Sequence, residues 1–412
     1  MIELSPTDIA HGGEAVARVD GKAHFVAGAM PGERVTAEIT LDKGSWARGD
    51  LVDVVEASPQ RVTPPCPHFA SCGGCQWQYA DYPAQLAWKQ SIVAGQLAHL
   101  GRVDDPTVHP TVAPGPPYGY RNRMDFNVVG GQPAMHRQRS NELVPLSECS
   151  LLRPELAEVF ARLGDLGDAR KVTLRMGTRT GDLLAVVRGK VPESHGQWGC
   201  NVVHATREGL DAVIGGLSIR EEVAGLSFRI TGEAFFQNNT DGADTLVRLV
   251  TEALDVGDGD TVLDAYAGGG LFALTAAVPA ERVIAIEMGG TAFRDLRHNV
   301  RSATNEVRVV RGAFEEVVET LDEYWTLAIV DPPRVGLRAQ GVSAVTAATP
   351  RTIVYVSCDP ASLSRDARLL ADEGYRLDWA TPVDLFPQTF HVETVARFVL
   401  GDDKGDGEPT GV

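Results

Sequence analysis

From about residue 233 the chain alternates short apolar runs with longer amphipathic ones. "TVLDAY", "RVIAIE", "VRVVRG", "LAIVDPP" and "TIVYVSC" read as β-rich runs, and "GTAFRDLRHNVRSA" and "SLSRDARLLADEG" between them read as helices. This alternation predicts an α/β fold, a doubly wound, Rossmann-like parallel sheet over 233–401. The last two runs, "YRLDWATPVDLF" and "VETVARFVL", have no long helix between them and predict an antiparallel hairpin at the sheet edge. Residues 1–57 carry short β-prone runs broken by Asp-Gly and Pro-Gly turns, which predict a five-strand barrel of the oligonucleotide-binding type. Residues 58–232 read as a mixed α/β domain. It opens on a Pro- and Cys-rich connector, continues with a helix around Ala84–Leu100, and then shows β-like stretches at "RMDFNVVG", "KVTLRMG" and "DLLAVVRG". The polar tail 402–412 predicts disorder.

Composition bounds this picture. A chain of 412 residues exceeds one typical core, and 43% apolar with 23% charged residues is globular. No apolar run reaches the ~18 residues of a membrane span, and "MIELSPTDIA" is not a secretory signal. A cytoplasmic monomer is the expectation. The formal net charge of −17 excludes a general polyanion binder, so any nucleic-acid contact needs locally concentrated positive charge. The N-terminal module is itself acidic, with five basic residues against ten acidic ones in 1–57. The best basic stretch is "PYGYRNRMDFNVVGGQPAMHRQRS". There Arg121, Arg123, Arg137 and Arg139 are interleaved with Tyr118, Tyr120 and Phe126, residue types that hold phosphates and stack on unpaired bases. An ordinary solvated hairpin is the alternative.

"TVLDAYAGGGLFALTAA" reads as strand, glycine turn and helix. Gly268, Gly269 and Gly270 let the backbone approach a ligand. Glu287, closing the next strand, is placed to accept hydrogen bonds from a ribose. These features alone suit a dinucleotide or S-adenosylmethionine (SAM). Asp264 and Tyr266 favour SAM, because acidic and aromatic groups suit a sulfonium cation better than a pyrophosphate. Asp331 ends a strand and enters a rigid Pro-Pro loop on the same edge.

Cys358, in "IVYVSCDPASLSRD", falls at the carboxyl end of a buried strand and at the start of a helix. A lone cysteine there is ordinarily an inert small side chain. The helix N-terminus, however, is expected to lower the thiol pKa and favour thiolate. A thiolate beside a methyl donor suggests pyrimidine chemistry. Adding the thiolate to carbon 6 makes carbon 5 nucleophilic, and a base must afterwards remove the carbon-5 proton. "FPQTFHVETVARF" offers Glu393 for that step, with His391 nearby.

"PPCPHFASCGGCQW" spaces Cys66, Cys72 and Cys75 so that they can converge on one metal centre. Cys149 is the candidate fourth ligand and Cys200 the spare. On spacing alone, structural zinc and an iron–sulfur cluster fit equally well.

The order of "FFQNNTDGA", "LDAYAGGG", "AIE", "DPPR", "YVSCDP" and "HVETVA" resembles that of the RNA uracil-5 methyltransferases, SAM-dependent enzymes that make 5-methyluridine, and the resemblance covers nearly the whole chain. It implies a class I methyltransferase domain, Cys358 as nucleophile and Glu393 as proton-removing base. Gln237, Tyr266, Glu287 and Asp331 match SAM and active-site positions. The first module is similar to the RNA-binding TRAM barrel, and the four cysteines are implied to hold a 4Fe-4S cluster. The family turn often reads "YCGxG", where this chain has Ala267. Carrying both barrel and cysteine connector looks more like members acting on large-subunit (23S) ribosomal RNA than on tRNA. The competing readings are a tRNA enzyme, a cytosine-5 methyltransferase, a non-catalytic RNA-binding protein and an NAD-dependent oxidoreductase. The last leaves Cys358 and the Pro-Pro loop without roles.

Overall fold

The computed structural model describes residues 1–401, so the predicted disorder of 402–412 lies outside the described residues. The chain divides into two compact units. One comprises Met1–Ile92, Pro110–Ala243 and Asp384–Val392; the other comprises Val93–His109, Asp244–Val383 and the chain from Glu393 onward. Among the described residues no helix is long and apolar enough to cross a membrane.

The first unit opens with β1 (Ile2–Leu4), β2 (Asp8–Ile9), β3 (Ala15–Val19), β4 (Lys22–Ala27), β5 (Arg34–Asp42) and β6 (Trp46–Glu56). They form a six-stranded sheet in the order β1-β5-β6-β4-β3-β2, one strand more than the pattern predicts. The extra pairing comes from the two short N-terminal strands, too brief to register as periodicity. Alternate residues such as Ala15, Ala17, Val26, Val35 and Ala37 point inward and pack with Trp77, Tyr79 and Trp88. Trp88 lies on α1 (Tyr82–His99), the helix predicted at Ala84–Leu100.

A second sheet takes β7 (Arg123–Val129), β8 (Gln132–His136), β9 (Leu143–Pro145), β10 (Ala169–Met176), β11 (Leu183–Gly189), β12 (Asn201–Ala205) and β13 (Leu210–Ile214), in the order β13-β12-β11-β10-β7-β8-β9. Helix α2 (Pro154–Ala161) packs Leu156, Val159 and Phe160 into its core with Phe126, Val172, Leu174 and Trp198. A hairpin, β14 (Ser218–Val223) with β15 (Leu226–Thr231), leads into α3 (Thr240–Leu254).

The second unit is built on β16 (Thr261–Asp264), β17 (Arg282–Glu287), α4 (Gly290–Asn299), β18 (Glu306–Arg311), α5 (Phe314–Val317), β19 (Leu327–Val330), α6 (Arg338–Thr346), β20 (Thr352–Ser357), α7 (Pro360–Asp372), β21 (Tyr375–Val383) and β22 (Glu393–Leu400). Its sheet runs β18-β17-β16-β19-β20-β22-β21. The first five strands are parallel; β22 is antiparallel to both β20 and β21, which gives the predicted edge hairpin. Every residue of β19 and β20 is buried, as expected for parallel strands covered on both faces. Strand order reverses between β16 and β19, and at such a switch point the carboxyl ends of the strands open a crevice.

One predicted helix is absent. Residues 268–279 form a succession of turns whose bonds mix spans, Leu274 N–H to Gly270, Thr275 to Phe272 and Ala277 to Phe272. The Ala273 N–H is given to the Asp264 carboxylate at 2.9 Å.

Candidate active site

The parallel alternation places one chemistry-bearing residue after each of four strands. Asp264 closes β16 and Tyr266 follows it, Glu287 closes β17, Asp331 follows β19, and Cys358 follows β20. Glu393 opens β22, whose next residue, Thr394, pairs with Ser357 of β20. An antiparallel strand therefore starts where its parallel neighbour ends, bringing Glu393 to the edge that carries Cys358. Asp359 caps α7, accepting from the Ser362 N–H at 2.7 Å, and Ser357 Oγ donates to the Asp359 carbonyl at 3.0 Å. These bonds fix the turn that holds the thiol.

The electrostatics of this edge differ from the sequence expectation. Burial, then Glu393 and Asp331, push the Cys358 thiol up to about 12, while Arg334 opposes them. The helix N-terminus does not prevail, because desolvation and the carboxylates of Glu393, Asp331 and Asp359 all disfavour the thiolate. Glu393 is 4% exposed, and burial and Asp331 hold its pKa well above the carboxylate range, again opposed by Arg334. Burial raises Asp331 to about 7. Burial, Asp331 and Glu287 raise Asp264 to about 8, against the Ala273 N–H bond.

The glycine turn is ordered by its neighbours. Glu287 accepts from the Gly268 N–H at 2.9 Å and from the Gly289 N–H. Tyr266 donates its hydroxyl to Glu315 at 2.6 Å, and Asn299 Nδ2 donates to the Gly269 carbonyl at 2.9 Å. Gly270 has φ of +94°, and a Cβ there would stand 2.8 Å from Leu296, so position 270 requires glycine. Asp264 Oδ1 is fully buried without a protein partner. An unpartnered carboxylate oxygen beneath a glycine turn is a feature of a site that takes a positively charged or hydrogen-bond-donating ligand.

Gln237 lies in the first unit, in the loop between β15 and α3. It is 6% exposed, and its carbonyl accepts from Asn122 Nδ2 at 3.2 Å.

The first unit also holds the cysteine centre. Cys66, Cys72, Cys75 and Cys149 line one cavity of about 20 Å³ with Met124, Leu146 and Leu151. Cys200 is elsewhere, against the core of the second sheet. Burial pushes Cys75 up to about 12 and raises Cys72 and Cys149, and each feels the other thiols. His68 lines the same cavity, but its Nε2 lies 3.1 Å from the Ser147 N–H, which donates to it. Four thiols on one cavity are a donor set suited to zinc or an iron–sulfur cluster. No His, Cys, Asp or Glu group among the described residues stands in metal-ligand geometry.

The four arginines do not make a free basic patch. Arg137 is paired with Glu142 at 2.8 Å and Arg139 with Glu14 at 2.6 Å, while Arg123 lies 3.5 Å from Asp125. The Arg121 guanidinium lies 5.4 Å from the Phe386 ring centroid and 5.8 Å from that of Tyr120.

Three features escaped the sequence reading. Arg334 sits inside the "DPPR" motif, yet only the structure shows it opposing the carboxylates around Cys358 and Glu393. Asp366, on α7, accepts from the Leu337 and Arg338 N–H groups and from Tyr355. Lys89 and Asp384, far apart in sequence, form a completely buried ion pair at 2.5 Å. No local pattern signals a contact of that separation.

The strand order, the glycine turn and the carboxyl-edge residues define an α/β enzyme domain of the nucleotide-ligand class. Comparison with known proteins makes this specific. Residues 210–398 match the family model described as tRNA (uracil-5-)-methyltransferase, and residues 3–52 match the TRAM domain. The chain is 36% identical to an uncharacterized RNA methyltransferase of Gloeobacter violaceus, over 95% of this chain and 94% of that one. It is 34% identical to another from Streptomyces avermitilis, with 96% of each covered. The crystal structure of Pyrococcus abyssi tRNA (uracil-54, C5)-methyltransferase in complex with S-adenosyl-L-homocysteine superposes with a TM-score of 0.78 at 25% identity, covering 97% of this chain and 100% of that one. The chain belongs to the RNA uracil-5 methyltransferase family, with an N-terminal TRAM domain.

Proposed function

We propose that the protein methylates carbon 5 of a uridine in large-subunit (23S) ribosomal RNA, with SAM as methyl donor and Cys358 as nucleophile. The observation that carries this reading is the placement of Cys358, Glu393 and Asp331 on one sheet edge, where Asp331 raises the pKa of both other groups and Glu393 that of the thiol. When bound, SAM supplies the methyl group to be transferred. Tyr266, Glu287 and Asp331 are the residues of the second unit that would hold it, and Gln237 is a further residue that the family resemblance assigns to it. The unpartnered Asp264 oxygen and the Gly268–Gly270 turn support that assignment.

Cys358 gives its proton to solvent water and bonds through sulfur to carbon 6 of the uracil. The ring electrons move onto the carbonyl oxygen and leave carbon 5 nucleophilic. Arg334 is the cation that favours the thiolate. After carbon 5 is methylated, Glu393 takes the carbon-5 proton. The electrons of that bond re-form the ring double bond and expel the Cys358 thiolate. The target base must leave any stack to reach the thiol. Cys66, Cys72, Cys75 and Cys149 are the ligands we assign to a 4Fe-4S cluster, with zinc as the alternative. Methyl transfer needs no electron from it, so its role is structural.

The choice of ribosomal RNA rests on the co-occurrence of barrel and cysteine connector. A tRNA substrate is the second reading, favoured by the near-complete overlay with the Pyrococcus tRNA enzyme. The test is incubation with methyl-labelled SAM and total RNA from cells lacking this protein, followed by fractionation and nucleoside mapping. Label in 5-methyluridine of the large ribosomal RNA, abolished in Cys358→Ala while SAM binding persists, is the expected result. Label in tRNA selects the second reading, and near-normal turnover by Cys358→Ala removes the nucleophile assignment.

A further inference from the structure

The loop after β19 carries Asp331, the two prolines and Arg334. Val330 of β19 pairs with Tyr355 of β20, so Pro333 and Cys358, each three residues further on, leave the sheet at the same edge. The Gly336 N–H donates to the Pro333 carbonyl at 2.8 Å and closes a β-turn whose central residues are Arg334 and Val335. Pro332 and Pro333 fix the entry to this turn but bring no N–H donor of their own. Its polar anchoring therefore falls to the residues that follow them.

The anchor is α7. Arg365 Nη2 donates to the Val335 carbonyl at 2.6 Å. The same guanidinium donates to Asp366 Oδ1, through Nε at 3.0 Å and through Nη2 at 2.8 Å. Asp366 in turn accepts from the Leu337 N–H at 2.7 Å and the Arg338 N–H at 3.2 Å. Gly336 lies between these bonds with φ of +71°, and a Cβ there would collide with the Asp366 carboxylate and stand 2.5 Å from Arg365 Nη2. The two side chains divide the loop between them. Asp366 is wholly buried and serves the start of α6, whereas the Arg365 side chain is 41% exposed and its bond to Val335 falls inside the turn that carries Arg334. An ion pair this exposed adds little stability. What the Arg365 bond does supply is a fixed orientation for one peptide of that turn.

We propose that Arg365 is a positioning residue for Arg334: it holds the Pro333–Gly336 turn so that the Arg334 guanidinium stays at the edge where Cys358 must become a thiolate. The inference deepens the methyltransferase reading and rests on Cys358 being the nucleophile. Every group in it belongs to the second unit. The charges facing the thiol are Glu393, Asp331 and Asp359, which oppose its ionisation, and Arg334, which favours it. Glu393 feels the same Asp331 and Arg334. With the turn released, Arg334 spends less time against this acidic edge, and a smaller fraction of Cys358 is ionised at any given pH.

The test is the pH dependence of iodoacetamide labelling of Cys358 in the full-length, unliganded protein, read by peptide mass spectrometry. Wild type, Arg334→Gln, Arg365→Gln and the double variant are compared. Below the thiol pKa the rate follows the thiolate fraction, so a lost or displaced cation moves the profile to higher pH. We expect Arg334→Gln to slow labelling at pH 8 by about tenfold, the scale of one unit in pKa, and Arg365→Gln to slow it by about threefold. Arg365→Gln is also expected to melt near the wild-type temperature. The double variant should match Arg334→Gln alone, since a residue that acts only through Arg334 has nothing to add once that side chain is gone. A purely structural Arg365 gives the opposite sign, because a loosened edge exposes the thiol and speeds labelling. Unchanged or faster labelling in Arg365→Gln overturns the proposal. So does a double variant slower still than Arg334→Gln, which would mean that Arg365 acts through its own charge. Arg365→Lys keeps the charge but cannot serve Val335 and Asp366 together. It is read in the same assay if Arg365→Gln does not fold, with slower labelling expected and wild-type labelling contradicting the proposal. Wild-type labelling in Arg334→Gln removes the role of Arg334 and the proposal with it. The nucleophile assignment fails separately, through near-normal turnover by Cys358→Ala.

Discussion

Cys358 is surrounded by charge that keeps its proton on. Glu393 and Asp331 both raise the thiol pKa, so neutralising either one must lower it. In the unliganded protein, Glu393→Gln is therefore expected to speed iodoacetamide labelling of Cys358 at pH 8, by about tenfold per unit of pKa released. Peptide mass spectrometry, which separates Cys358 from the other five thiols, reads this out; slower labelling contradicts the account. The same edge predicts a pH dependence of stability. Asp264 and Asp331 hold protons in the folded chain at pH values where the unfolded chain has lost them. Their folded pKa values are raised, so their stabilising contribution is complete below about pH 4 and disappears as the pH rises towards about 8. The melting temperature of the unliganded protein should fall across that window, and Asp264→Asn should flatten the fall. Asp264, Glu287, Asp331 and Cys358 were legible as neighbours because each ends or follows a β-rich run, and a parallel sheet puts such positions on one edge. Their protonation was not legible, since it depends on carboxylates delivered by strands far apart in the chain.

Asp366 on α7 organises the edge at the level of elements. Its side chain is wholly buried and accepts from the Leu337 N–H at 2.7 Å, from the Tyr355 hydroxyl at 2.9 Å and from Arg365. It thereby ties the start of α6, β20 and α7 together behind the Pro-Pro loop. Asp366→Ala orphans these donors and is expected to cost about 3 kcal/mol in urea denaturation; a loss below about 1 kcal/mol contradicts that role. The strands of this unit and its edge hairpin follow directly from apolar runs and from the missing helix between the last two. The segment after the glycine turn did not, because "LFALTAA" has good helix formers while its backbone bonds are turns of mixed span. The loop from Asp384 to Val392 was equally hidden. "DLFPQTFHV" carries no periodicity, and its partners Gln85 and Lys89 lie on a helix about 300 residues earlier.

At the scale of the whole molecule, an acidic chain must act on a polyanion. Three of the four arginines predicted as RNA contacts face carboxylates of the chain, so RNA phosphates would have to compete with Glu14, Asp125 and Glu142. Binding should accordingly be modest and salt-sensitive. The four cysteines on one cavity predict a bound metal centre in purified protein. Elemental analysis is expected to find iron with acid-labile sulfide, and Cys75→Ser is expected to lose both and to melt lower. Zinc without sulfide selects the alternative centre, and no metal in carefully isolated protein contradicts the assignment.

The central claim is a reversible bond between Cys358 and carbon 6 of a uracil. RNA in which uridine is replaced by 5-fluorouridine tests it most directly, because fluorine leaves no proton at carbon 5 for Glu393 to remove. Incubation with SAM and this RNA is expected to give a stable protein–RNA adduct carrying one methyl group, with the nucleotide mapped to Cys358. An adduct mapped to another residue, or methylated RNA released without any adduct, would contradict the account.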